Sequence, residues 1–501
     1  MPEISKNLDG MPEAFVSDTA ISREVSRSVK AGKLRKLASR LYTRNLTDPP
    51  EAVVRRNLWH IVAGYFPGAL IADRTALENA PAEDGSVCLV TETGRDIKLP
   101  GHTLRPRRGI APVVTDRPFI AGLFLSSTAR AYLENLRPSR ARGGLSARTL
   151  SRHEIEERLD TLIRRSGEEG ANRLRDEIGA VGQALNMEAE AADLDALIGS
   201  LLGTREAELS AAVARARHQG RPYDPDRLGL FQKLHAALRD HPPIVRLVAD
   251  REPEGHATLA FYDAYFSNFI EGTEFAVEEA ADIVFRGVIP SDRPQDAHDV
   301  LGTWRIVSDT REMSRTPEDG ETLVRLLKSR HAAIMESHPD KRPGAFKLAE
   351  NRAGSTVFVA PDLVPGTLEQ GFSLYRSLET PFQRAVFVMF LVSEVHPFAD
   401  GNGRTARIMM NAELVAAGEE RIVIPTVYRG NYLSALKALS LSGRPEPVIR
   451  MLDYAQRWTA AVDWRSVQAT RRELDDCNAF LDPNVAEEEG RRLRMPGRAG
   501  D

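Results

Sequence analysis

Between His396 and Arg407 the chain places a base, a hard oxygen donor, two glycines and two guanidinium groups in one short run, His396-Pro-Phe-Ala-Asp400-Gly-Asn402-Gly-Arg404-Thr-Ala-Arg407. An imidazole with an ordinary pKa of about 6.5 is largely neutral at pH 7 and can take the proton of an attacking hydroxyl. Asp400 offers a single carboxylate, which suits Mg²⁺, an ion that keeps most of its waters and bridges phosphates. Gly401-Asn402-Gly403 lets phosphate oxygens approach the main chain, and Arg404 and Arg407, three apart, present planar forks matched to phosphate. The chemistry implied is the handling of a polyphosphate nucleotide, with His396 as general base and the two arginines on the β- and γ-phosphates.

The elements that must position these groups are legible on either side. Pro381 to Val395 is almost continuously apolar, too short to span a bilayer and suited to a buried helix that delivers His396. Thr405 to Ala417 reads as a second helix stopped at Gly418, so the glycine loop stands at a helix N-terminus, where unpaired N–H groups and the helix dipole favour anions. Upstream, the run from Gly344 to Pro361 combines a polar turn with β-prone residues Thr356 to Val359 and predicts a hairpin near 347–360.

The pattern H-x-F-x-D-G-N-G-R-x-x-R resembles the signature of the Fic family. That resemblance implies AMP transfer from Mg²⁺-bound ATP to a Ser, Thr or Tyr hydroxyl of a target protein, with the hairpin as a flap to which the target adds a strand. It further implies Phe398 as a core anchor, Asn402 on the α-phosphate and Tyr432 beside the adenine and ribose. Ser267-Asn-Phe-Ile-Glu271-Gly272 is similar to the family's inhibitory pattern S/T-x-x-x-E-G/N, in which the Glu pairs with the second arginine of the motif, here Arg407. An arginine so neutralised cannot hold the γ-phosphate. The family resemblance also implies homodimer contacts.

A chain of 501 residues with 42% hydrophobic content supports several cores, and a net charge of -4 signals no global attraction to polyanions or membranes. Two cysteines, Cys88 and Cys477, argue against a disulfide framework, and the lack of a basic-then-apolar start makes the cytoplasm the expected location. The expected fold class is mainly α. A winged-helix-like α+β module occupies 1–110, a mixed segment and basic linker 111–150, and a helical region 151–239. An all-helical Fic core with its small hairpin follows over 240–464, then a charged tail over 465–501. Ser22 to Arg44 is strongly basic, carrying Arg23, Arg27, Lys30, Lys33, Arg35, Lys36, Arg40 and Arg44, and the first hundred residues resemble the winged helix of AbiEi-type antitoxins, so DNA is an expected partner there. The alternative function is therefore a DNA-binding regulator of toxin–antitoxin or phage-defence type with a nucleotide-sensing Fic domain.

Overall fold

All but two of the strands lie in the first half of the chain, among helices, and the two halves form separate units, residues 1–220 and 221–501. The computed structural model describes residues 10–92, 94–354 and 356–497. In the first unit, β1 (Ala14–Val16), α1 (Ser22–Lys30), β2 (Arg35–Ala38) and β3 (Leu41–Thr43) make an antiparallel sheet of order β1-β3-β2 with one helix. Only Val25 of α1 is buried, while Arg23, Arg27 and Lys30 are exposed. Helices α2 (Pro50–Arg56) and α3 (Leu58–Tyr65) follow.

A mixed sheet of order β6-β7-β5-β4-β9-β8 comes next, built from β4 (Leu70–Ile71), β5 (Ser86–Val90), β6 (Ile97–Leu99), β7 (His102–Arg107), β8 (Arg117–Pro118) and β9 (Phe124–Leu125). Its helices are α4 (Asp73–Glu78) and α5 (Thr128–Asn135). The apolar side chains of Val53, Ile61, Val62, Val87, Leu89 and Leu104 form one core beneath it. Next come α6 (Arg152–Leu185), opened by a capping box of Ser151 and Glu154 and kinked at Gly167, α7 (Glu188–Leu201) and α8 (Ala212–His218). The expected mixed segment and basic linker over 111–150, its basic run at 138–146, does not divide this unit. Ser146 N–H donates to Asp84 at 2.6 Å, and Arg148 just beyond pairs at 3.0 Å with the buried Asp73, so the segment is tied to the interior of the unit while Arg140 and Arg142 stay exposed.

The second unit is helical. It comprises α9 (Pro225–Asp240), α10 (Pro253–Ile270), α11 (Val277–Ala281), α12 (Pro294–Ser308), α13 (Thr310–Met313), α14 (Gly320–Ile334), α15 (Val364–Tyr375), α16 (Pro381–Val395), α17 (Asn402–Ala416), α18 (Arg429–Ser442), α19 (Glu446–Ala461), α20 (Val467–Asp476) and α21 (Pro483–Glu488). The hairpin β10 (Arg352–Ala353) and β11 (Thr356–Val357) stands where the β-prone run placed it. Two expected boundaries move. Helix α9, assigned by composition to the region ending at 239, buries Phe231, Leu234 and Leu238 in the same core as α15 and α16 and belongs to this unit. The expected charged tail forms α20 and α21, with Leu474, Cys477, Ala486 and Leu493 buried and Trp458 Nε1 donating to Arg494 O at 3.1 Å. Apolar residues spaced between the charges give those helices a buried face; residues 498–501 of the tail lie outside the described residues. Among the described residues no helix is long and apolar enough to cross a membrane.

Candidate active site

Helix α16 is buried on every side because Val386, Phe387, Val388, Met389, Phe390 and Leu391 leave it no polar face, and Thr380 with Gln383 fixes its start by a capping box. It ends at His396, whose φ of 52° lies in the left-handed region, where a residue other than glycine is strained. The chain thus turns sharply at the base itself and enters the loop that precedes α17.

Asn402 holds that loop together. Its Oδ1 accepts from Phe398 N–H and its Nδ2 donates to Phe398 O, both at 2.9 Å. The side chain expected on the α-phosphate thus holds the turn it creates and is 1% exposed. Helix α17 starts at Asn402 rather than Thr405, with Gly401 at φ 70° as its cap, so Gly403 and Arg404 lie inside the first turn.

The His396 imidazole donates from Nδ1 to Ser393 O at 3.2 Å, which leaves Nε2 as the proton acceptor. The Phe358 ring, just beyond β11, stacks on it with centroids 3.7 Å apart. Burial, with the Lys347 ammonium nearby, pulls the His396 pKa down to about 4, so the imidazole is neutral throughout the physiological range. Lys347 is itself lowered to about 8 by burial and donates to Asn351 Oδ1 at 2.7 Å, while Asn351 Nδ2 donates to Phe398 O at 2.9 Å. The hairpin is therefore tied to the loop through one asparagine.

His331 was not singled out from sequence, yet it supports the loop from beneath. Its ring stacks on Phe398 at 3.7 Å. Gly344 N–H donates to its Nδ1 at 2.9 Å, so its Nε2–H donates to Asp400 O at 3.0 Å. Burial lowers its pKa to about 4 and keeps that tautomer neutral. On α14 it sits at an ordinary core position, and nothing in the spacing distinguishes it from a packed residue.

Both arginines are buried, each 4% exposed. Arg407 Nη2 donates to Glu271 Oε1 and to Ser267 O, each at 2.7 Å, and its Nε donates to Ser267 Oγ at 2.9 Å. The expected Glu271–Arg407 pair is present, and Gly272, at φ 96°, turns the chain away immediately afterwards. Arg404 pairs with Asp299 at 2.9 Å. The Glu271 carboxylate lies against Gly403: a Cβ there would stand 2.9 Å from Glu271 Cδ and 3.1 Å from Arg407 Nη1. An internal carboxylate thus lies against the first turn of α17.

Asp400 is exposed, and its Oδ1 accepts Gly401 N–H at 2.7 Å. Among the described residues no cluster of three or more His, Cys, Asp or Glu side chains is placed to hold a metal ion. One hard oxygen beside an anion site fits a cation that arrives on a polyphosphate. Tyr432, the residue expected beside the adenine and ribose, is packed inward. It is 1% exposed, with its hydroxyl 3.5 Å from Met389 Sδ and its ring centroid 5.9 Å from the Arg407 guanidinium, because α18 opens against the core and carries the ring inward.

Residues 322–414, which hold this loop, α16 and nearly all of α17, match the Fic/DOC family. A protein adenylyltransferase, fic-1, of Caenorhabditis briggsae is 24% identical over 248 residues, 48% of this chain and 48% of its own length. A protein adenylyltransferase Fic of Nematostella vectensis is 26% identical over 244 residues, 45% of this chain and 55% of its own. This chain spans about half the length of the curated relatives it matches. Among solved structures, Fic-1 from C. elegans superposes with a TM-score of 0.35 at 20% identity, covering 64% of this chain and 96% of that one. A Fic domain containing signalling protein from Bacteroides thetaiotaomicron gives 0.36 at 17%, covering 48% and 97%.

Proposed function

We propose that this chain, through the Fic domain it carries, transfers AMP from Mg²⁺-bound ATP to a Ser, Thr or Tyr hydroxyl of a target protein, and that Glu271 holds the site inactive. The observation that carries this reading is the Glu271 carboxylate on Arg407, against Gly403 in the first turn of α17, beside a neutral His396. Once Glu271 is displaced, the helix N-terminus and Arg407 receive the phosphate chain. His396 Nε2 takes the acceptor proton as the acceptor oxygen bonds to the α-phosphorus. The bond from that phosphorus to the β-phosphate oxygen breaks, and pyrophosphate leaves. A cation bound at Asp400 would supply charge neutralisation on the phosphate oxygens. The hairpin offers backbone edges to which an extended target segment adds as a strand, which positions a hydroxyl without demanding one sequence.

The test is transfer from α-labelled ATP with Mg²⁺ by three full-length forms: wild type, Glu271→Gly, and Glu271→Gly with His396→Ala. Strong labelling in the single variant alone supports the reading. Nucleotide binding without labelling in any form moves the assignment to a nucleotide-sensing regulator.

A DNA-binding role for the first unit is favoured by one observation: α1 presents Arg23, Arg27 and Lys30 to solvent, and Lys33 and Lys36 are exposed beside the β2–β3 hairpin. A helix and wing of that charge would meet duplex phosphates. Replacing the three α1 cations by Ala should weaken duplex retention and lower its salt slope by about three. An unchanged slope would remove this role.

A further inference from the structure

Arg404 is held differently from Arg407. Its Nη1 pairs with Asp299 Oδ2 at 2.9 Å and reaches Asn268 Oδ1 at 3.3 Å, while Nη2 lies 3.2 Å from Met335 Sδ. Asp299, on α12, is as buried as the arginine, and its second oxygen faces His338 Nε2 at 2.8 Å, so the carboxylate is fixed at both ends. Met335 is wedged in turn beneath the glycine loop, where a Cβ at Gly401 would stand 2.7 Å from its sulfur. The distal end of the guanidinium is thereby clamped among α10, α12 and the end of α14. The remaining donor, Arg404 Nε, is buried and has no hydrogen-bond partner among the described residues. A buried N–H without a partner is costly, and one in a nucleotide loop is satisfied when an acceptor oxygen enters.

We propose that Asp299 is a specificity-determining residue of the nucleotide site: it clamps Arg404 and cancels its charge, so that the site offers the phosphate chain one uncompensated guanidinium, that of Arg407. This inference rests on the reading of Arg404 and Arg407 as phosphate ligands. Glu271 sits at the end of a helix, is a third exposed and can leave. Asp299 lies mid-helix, is packed on both oxygens and stays. With Asp299 in place Arg404 contributes a single oriented N–H to the phosphates and no net charge, and the carboxylate repels nearby phosphate oxygens. The affinity for a polyphosphate is correspondingly restrained, and the number of phosphates bound matters less than it would in a site with two free arginines.

The experiment is equilibrium titration of ATP and ADP against full-length Glu271→Gly, alone and combined with Asp299→Asn. Asn keeps the shape and an acceptor for Arg404 but removes the charge. The expected result is that ATP binds about tenfold more tightly to the combined variant and that the ratio of ATP to ADP affinity widens. Unchanged or weaker ATP binding would overturn the proposal and leave Asp299 as a packing partner only. Because an unpaired Arg404 could destabilise the fold, Asp299→Asn with Arg404→Gln in the same background serves as the second variant. It should lose the gain entirely, whereas a gain that persists without Arg404 would equally overturn the assignment. Failure of Glu271→Gly itself to bind ATP would refute the underlying reading and is distinguishable from these outcomes.

Discussion

Glu271→Gly removes a carboxylate 2.7 Å from a guanidinium that is 4% exposed. Stripping one partner from a buried ion pair costs roughly 3–5 kcal/mol. The Glu271 side chain is 32% exposed, and Ser267 O and Oγ continue to accept from Arg407, so a cost of about 2 kcal/mol is the reasonable discount here. That cost falls on the ligand-free protein alone, because a bound phosphate restores the missing charge. Linkage then converts it into affinity: at about 1.4 kcal/mol per factor of ten, ATP should bind the variant roughly 30-fold more tightly. The apo melting temperature should fall by about 5 °C for a unit of this size, and saturating ATP should recover most of the loss. Thermal melts with and without ATP, together with a direct ATP titration, read both quantities. An ATP affinity within twofold of wild type would refute the claim that Glu271 competes for the phosphate position, even if stability fell as expected.

The burial-lowered pKa of His396 gives a signed pH dependence. The reactive form is the neutral one, so transfer by Glu271→Gly should hold level from pH 7 down to about 5 and be halved near about 4; a midpoint near the ordinary histidine value would contradict the burial seen here. His331 is lowered to about 4 as well, and the unfolded chain binds the extra protons below its own pKa of about 6.5. Stability should therefore be complete above that value and fall as the pH drops from there towards 4, and urea melts of His331→Phe should show a shallower fall than wild type. Gly403→Ala should expel Glu271 yet fail to raise ATP affinity, since the new methyl fills the approach to the α17 N-terminus; tighter ATP binding would mean that the phosphates do not pass over Gly403. Tyr432→Phe should leave the KM for ATP within about twofold and cost about 1 kcal/mol in urea melts, since its hydroxyl is buried beside Met389 Sδ and the Arg407 guanidinium. A large rise in KM would restore it as a nucleotide contact.

The sequence by itself determined the helix–loop–helix around His396. Apolar runs, a glycine pair and a charged first turn are local signals, and each states its own geometry through propensity and capping. The same holds for the hairpin at Thr356–Val357 and for the Glu271 pattern, whose spacing to Gly272 is also local. What only the tertiary structure decided was which partner each polar atom found. Asn402 had the composition of a phosphate ligand, but two hydrogen bonds to Phe398 across the turn claimed its side chain. His331 and Asp299 lie 65 and 97 residues ahead of His396 on helices whose periodicity marks them as core, so their contacts with the loop depend on how α12 and α14 pack against α17. The charged run at the end of the chain misled because charge density signals exposure only when no apolar stripe lies among the charges, and Leu474, Ala486 and Leu493 supply one. Long-range pairing is set by packing of whole elements, and a linear pattern carries no record of it.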